Sequence, residues 1–236
     1  MKTILHPAGE RGHANHGWLD AHHSFSFASW YNPAKMHFGL LRVLNDDTIA
    51  AGMGFGKHPH DNMEIVTIPL SGVIKHADST GGAGEIKAGE VQIMSAGSGI
   101  EHSEFNGSNH EELKLFQVWV FPKEKNIKPR YDQREFGEDA LKNNLKVLVS
   151  PDAADNALWI NQDAFFSMGK FDREEELNYT MKRKGNGAFV MVVEGGAAID
   201  GKLLGRRDAI GVYDTESFTA KLQAGTQVLV IEVPMN

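Results

Sequence analysis

The chain has 236 residues, 41% apolar and 23% charged, which is enough apolar content for a packed core. Its net charge is −7, a poor match for duplex nucleic acid or an anionic lipid surface. Cysteine is absent, which excludes disulfides, thiolate nucleophiles and Cys-ligated zinc or iron–sulfur centres.

Taken along the chain, the pattern is strand-like almost throughout. Short β-rich runs recur about every dozen residues, with Gly, Asp, Asn or Ser turns between them. No apolar run approaches the ~18 residues of a membrane span. No apolar leader stretch follows the basic residue near Met1, and a cytoplasmic location is expected. All eleven histidines lie between His6 and His110, so imidazole chemistry is confined to the first half. The early group His13, His16, His22 and His23 reads as structural histidines in an aromatic-rich segment. Phe25 and Phe27 have the spacing of a half-buried strand. Strands are expected at Leu40–Leu44 and Ile49–Phe55, with Asp46-Asp47 as a hairpin turn. Further strands follow at Met63–Leu70, Val91–Met94 and Leu113–Phe121, where Val118 and Val120 share a face.

The stretch Pro122–Phe136 is polar, charged and holds two prolines, as a surface connection does. It divides the chain into residues 1–133 and 134–236. The second part reads as a short helix at Gly137–Asn144, another at Glu174–Leu177, and strands at Lys146–Val149, Ala157–Ile160, Ala188–Val193, Ala209–Tyr213, Phe218–Leu222 and Val228–Val233. Gly195-Gly196 is a hairpin, Lys182–Gly185 a solvated turn and Arg206-Arg207 a surface spot. Leu70-Ser71-Gly72-Val73-Ile74 echoes Val193-Glu194-Gly195 followed by Ala197-Ala198-Ile199, as two copies of one small barrel would.

Two segments carry the chemistry. Residues two apart on a strand share a face, so His58 and His60 can converge on one ion at ~2.0–2.2 Å from each. His102 and Glu104 repeat that spacing behind a turn rich in Gly97 and Gly99, whose backbone can adopt positive φ. Glu64 shares the alternation with His58 and His60, and spacing alone does not choose between Glu64 and Glu104. Such a set leaves room for exchangeable positions on the ion.

These motifs, His58-Pro59-His60-x3-Glu64 and Ala96-Gly97-x-Gly99-Ile100-x-His102-Ser103-Glu104, resemble the pirin family within the cupin superfamily. The resemblance extends to Arg11–Asp20, Phe25-Ser26-Phe27, Arg42–Asp47 and Gln117-Val118-Trp119. It is dense over residues 11–135, and Ser95 stands where the broader superfamily has a proline. The resemblance implies an all-β bicupin: two antiparallel barrels packed face to face, terminal segments exchanged, with metal only in the first. The family's ligands fall on His58, His60, His102 and Glu104, leaving Glu64 a supporting role.

It also implies an enzyme similar to bacterial quercetin 2,3-dioxygenases. One divalent transition metal is expected, Fe(II) by analogy, with Zn, Ni, Cu, Co and Mn compatible with the same donors. The expected substrates are a flavonol and O2, with release of carbon monoxide and Glu104 as base. A monomer is expected, without nucleic acid or membrane. The alternative within the family is a non-enzymatic, redox-sensing regulator that binds a protein partner. Trp18, Phe25, Phe27, Trp30, Phe38 and Phe55 are candidates for core or for a stacking surface, and Asn106 for a turn or a ligand-orienting hydrogen bond.

Overall fold

A strand with one apolar face needs another sheet to cover it. The computed structural model describes residues 1–236, and the strands cover one another as four sheets. The first barrel has a seven-stranded sheet in the spatial order Arg130–Glu135, Glu90–Ser95, Glu64–Ser71, Leu113–Val120, Leu41–Ile49, Leu19–His23, Gly12–Asn15. Facing it is a four-stranded sheet, Gly54–His60, Ile100–Asn106, Val73–Asp78, Ala83–Lys87. The second barrel repeats the plan. Its seven strands run Lys2–His6, Ala209–Tyr213, Asn186–Glu194, Thr226–Pro234, Phe165–Phe171, Lys146–Ser150, Leu158–Trp159, and its four run Glu175–Thr180, Ser217–Leu222, Ala197–Ile199, Lys202–Leu204.

The two seven-stranded sheets pack against each other, giving the all-β, two-barrel architecture. Their shared core holds 27 buried residues, among them Phe25, Phe38, Phe116, Phe166 and Phe189. The continuous apolar run of Asn186–Glu194 follows from this burial. Phe189, Met191 and Val193 enter the shared core, while Ala188, Val190 and Val192 enter the second barrel's interior. That interior is filled by 15 buried, mostly aliphatic and aromatic residues. The first barrel's own apolar residues form two smaller clusters, one of seven that includes Leu19, Ala21, Leu113 and Leu115, and one of four, Ile65, Met94, Ala96 and Ile100. Buried polar side chains, among them Thr67, Gln92, His102 and Glu104, share its interior with them.

The first strand of the chain belongs to the second barrel, where Lys2–His6 pairs with Ala209–Tyr213. At the other end, Leu40 N donates to Pro234 O at 2.9 Å. The strand Arg130–Glu135 pairs with Glu90–Ser95 and so lies in the first barrel.

Several local expectations are corrected. Asp46-Asp47 is no turn, because both residues lie inside the strand Leu41–Ile49. The reversal comes after Ile49, and the next strand starts at Gly54, so Ile49–Phe55 is not one strand. The Glu174–Leu177 segment is the strand Glu175–Thr180 rather than a helix, because pairing with Ser217–Leu222 overrides its glutamate-rich composition. Only Glu138–Leu141 is α-helical within Gly137–Asn144. Phe25 and Phe27 follow the strand Leu19–His23 rather than forming one; Phe25 is buried between the barrels. Arg207 is not a surface spot. It is buried, adopts φ +68° and lays its guanidinium 5.1 Å from the Phe116 ring centroid.

Candidate metal centre

The strands Gly54–His60 and Ile100–Asn106 pair antiparallel with His102 directly opposite His58. Alternation then places His60 on the same inward face. A bulge shifts the register so that Glu104 opposes Phe55. The turn before the second strand needs its glycines: Gly97 has φ +50°, and a side chain there would collide with Ile127 O. Asn62 N donates to Gly97 O at 2.9 Å, tying the two motif loops together.

The three imidazole rings lie 4.5–4.9 Å apart, centroid to centroid. One ligand atom from each lies within 4.8 Å of the others. Nitrogens bound to one ion at ~2.1 Å can be at most about 4.2 Å apart, so small side-chain rotations would suffice. His58 Nδ1 is 2.8 Å from Gly56 O, so an Nδ1–H donor leaves Nε2 free to ligate. His60 Nε2 and both ring nitrogens of His102 are buried without a hydrogen-bond partner. Burial, reinforced by the neighbouring His58, pushes His60 down to about 4. Burial, with His58 and His60 nearby, takes His102 down to about 3. Neutral rings with idle nitrogens are what a transition metal requires, so this donor set fits one such ion.

Glu104 is buried on the same strand as His102 but is not part of the three-imidazole group. It lies in a second group of closely spaced donors with His102 and His76. Its carboxylate reaches the facing sheet. Gln92 Nε2 donates to Oε1 at 2.5 Å and Gln117 Nε2 to Oε2 at 2.8 Å, with the Thr67 hydroxyl 3.3 Å from Oε1. Burial is the main influence on this carboxyl and raises its proton affinity. Glu64 points elsewhere. It accepts from the Ser95 hydroxyl at 2.8 Å and from Asn161 N, across the barrel interface, at 3.1 Å.

Beside the imidazoles is a cavity of about 220 Å3, lined by Leu19, Ala21, His23, Phe27, Asn45, Asp47, Phe55, Gln117 and Trp119, together with His58, His60, His102 and Glu104. A wider basin of about 550 Å3 adjoins it and shares His60 and Trp119. Of the aromatic candidates, Phe27 and Phe55 line the cavity and Trp18 packs edge-on to Phe55 at 5.2 Å. Phe25 and Phe38 are core. His13 and His22 stack at 4.5 Å on the barrel's outer edge, where His13 contacts Asp20, away from the cavity. Asn106 staples a turn, donating to Ile49 O, Ala50 O and Glu111 O.

Sequence reasoning missed His76, Thr67, Gln92 and Asp47. His76 is buried, stacked on Tyr131 at 4.4 Å and held to Asp78 at 3.1 Å. The available signal was a lone polar residue inside an apolar run: Thr67 in Glu64–Ser71, and Gln92 in Glu90–Ser95.

Comparison with known proteins gives the family. Residues 5–120 match the family described as Pirin, and residues 147–233 the quercetinase C-terminal cupin domain. The chain is 44% identical over 230 residues to quercetin 2,3-dioxygenase of Escherichia coli K12, covering 98% of each chain. It is 36% identical to a pirin-like protein of Caulobacter vibrioides, covering 96% of this chain and 97% of that one. Among solved structures it is similar to the E. coli bacterial pirin YhhW in complex with nickel(II), with a TM-score of 0.93, 41% identity and 99% of each chain covered. No helix is long and apolar enough to cross a membrane.

Proposed function

The chain belongs to the pirin family, and from that premise we propose that it is a metal-dependent dioxygenase that opens the heterocyclic ring of flavonols such as quercetin. In this reading O2 is consumed and carbon monoxide released, leaving a depside. The observation that carries it is the convergence of three imidazoles, two of them (His60 and His102) with buried, unpartnered ring nitrogens, on a cavity walled by Phe27, Phe55 and Trp119. The names of relatives support the same chemistry. The filled interior of the second barrel supports confinement of that chemistry to residues 1–133 and not to 134–236.

His58, His60, His102 and Glu104 would hold the ion, proposed as Fe(II); the solved relative carries nickel. A bound ion would supply Lewis acidity toward the flavonol 3-hydroxyl and a redox-active centre for O2. The residues supply the rest. The Gly56 carbonyl fixes the His58 ring. Phe27, Phe55 and Trp119 offer flat apolar surface and exclude water. Glu104 takes the 3-hydroxyl proton, and the Gln92 and Gln117 amides hold it in place.

The test is loss of quercetin's visible absorbance with metal-loaded protein in air, with carbon monoxide trapped as product. Consumption should stop without O2. Protein that binds metal and flavonol but consumes neither substrate would instead fit the regulatory reading.

A further inference from the structure

The wall facing the imidazoles contains a carboxyl group with no evident structural partner. Asp47 is 5% exposed, lines the cavity, and its Oδ1 is buried without a hydrogen bond. Its register explains the isolation. The residues opposite it on the two neighbouring strands are Ala21 and Leu115, and neither side chain can donate or accept. Two positions along the same strand, Asn45 Oδ1 is 2.8 Å from His23 Nδ1, so Asn45 is already engaged. Buried polar atoms are nearly always paired, and an orphan aimed into a cavity marks a place where a ligand completes the bond.

We propose that Asp47 is a second anchor for the substrate, selecting aromatic molecules that carry a hydroxyl or carbonyl oxygen besides the oxygens directed at the imidazoles. This rests on the flavonol reading and adds to it a specificity-determining residue on the opposite sheet. Burial, with Asp46 and Glu104 adding to it, pushes the Asp47 carboxyl up to about 8. In its neutral form it can donate one hydrogen bond and accept another. Phe27, Phe55 and Trp119 would orient the ring plane, and Asp47 would fix which substituted edge enters first.

The experiment compares full-length wild type, Asp47→Leu and Asp47→Asn, each with its metal content measured. Binding of quercetin, with several ring hydroxyls, and of 3-hydroxyflavone, with only the chelating pair, is followed without O2. Wild type should prefer quercetin by about tenfold, the effect of one well-placed hydrogen bond. Asp47→Leu should abolish that preference, and Asp47→Asn, which still donates and accepts, should keep most of it. Metal content should be the same in all three. Asp47→Leu should also melt higher than wild type, because it removes an unpaired buried carboxyl; a purely structural Asp47 would melt lower when replaced. A wild-type ratio near one, or a ratio unchanged in Asp47→Leu, overturns the proposal. If wild type prefers quercetin but does not consume it in air, the dioxygenase reading fails and the anchor stands. A wild type that consumes quercetin while Asp47→Leu keeps the preference gives the reverse. Wild type that binds neither compound overturns both.

Discussion

Asp46 and Asp47 are adjacent on one strand and face opposite ways. Asp47 enters the first barrel's cavity. Asp46 turns to the barrel interface, where its Oδ2 accepts from Arg11 Nη1 at 3.0 Å and from Arg207 Nε at 2.9 Å. Arg207 also donates to Val193 O, so one carboxylate joins residues 161 positions apart.

Asp46→Ala is therefore expected to loosen the joint between the barrels. It leaves two guanidinium groups, 9% and 7% exposed, with only Glu194, 3.6 Å from Arg207 Nη1 and 47% exposed, as a remaining counter-charge. Removing one partner of a buried ionic cluster costs about 3–5 kcal/mol. Urea denaturation of the metal-free protein checks this, and Arg207→Met should cost clearly less, because it leaves no uncompensated charge at that position.

His60→Ala and His102→Ala should each lose bound metal while the fold survives. The rings make no hydrogen bond that holds a strand, and their buried nitrogens are unpartnered. Plasma emission analysis gives the metal content, and circular dichroism the fold. Stoichiometric metal in either variant would contradict the proposed ligand set.

Glu104→Gln should retain part of its metal and lose turnover by at least about a hundredfold, the scale of a lost general base. One of the bonds from Gln92 and Gln117 would then set amide against amide. Gln92→Leu should keep the base but release it, giving a smaller loss of kcat at unchanged metal content.

Glu64 yields a pH-dependent prediction. Burial, only partly offset by the Ser95 and Asn161 hydrogen bonds, pushes its carboxyl up from 4.5 to about 7. The unfolded chain gives up this proton near pH 4.5 and the folded chain near 7. Between those values the folded state holds more protons, so this group's contribution to stability falls as pH rises. Glu64→Gln removes that slope. Relative to wild type it should gain about 3 kcal/mol between pH 4.5 and 7, measured as the difference between two denaturation series. A pH-independent difference would show that Glu64 does not titrate in that range.

Much of the site could be read from residue order. His58, His60, His102 and Glu104 lie at two-residue spacing, and that alternation puts each pair on one face of a strand in any sheet. The absence of histidine after His110 confined the search to the first half of the sequence. Where an expectation failed, a partner distant in sequence was responsible. Glu174–Leu177 is helix-like by composition, yet it is held as a strand by Ser217–Leu222.

Periodicity tells which residues share a face, but not which face becomes the interior. For that reason the strand pattern alone could not decide between Glu64 and Glu104. The register with Val73–Asp78 and the facing sheet bring Glu104 beside His102 and His76, while Glu64 turns to Asn161 of the other half. The same holds for Asp47, whose burial depends on sheets closing over it from several parts of the first half, and for Arg207, whose partner lies in the other barrel. Local chemistry was written in the order of residues; direction and burial came from contacts that form only when two sheets close on each other.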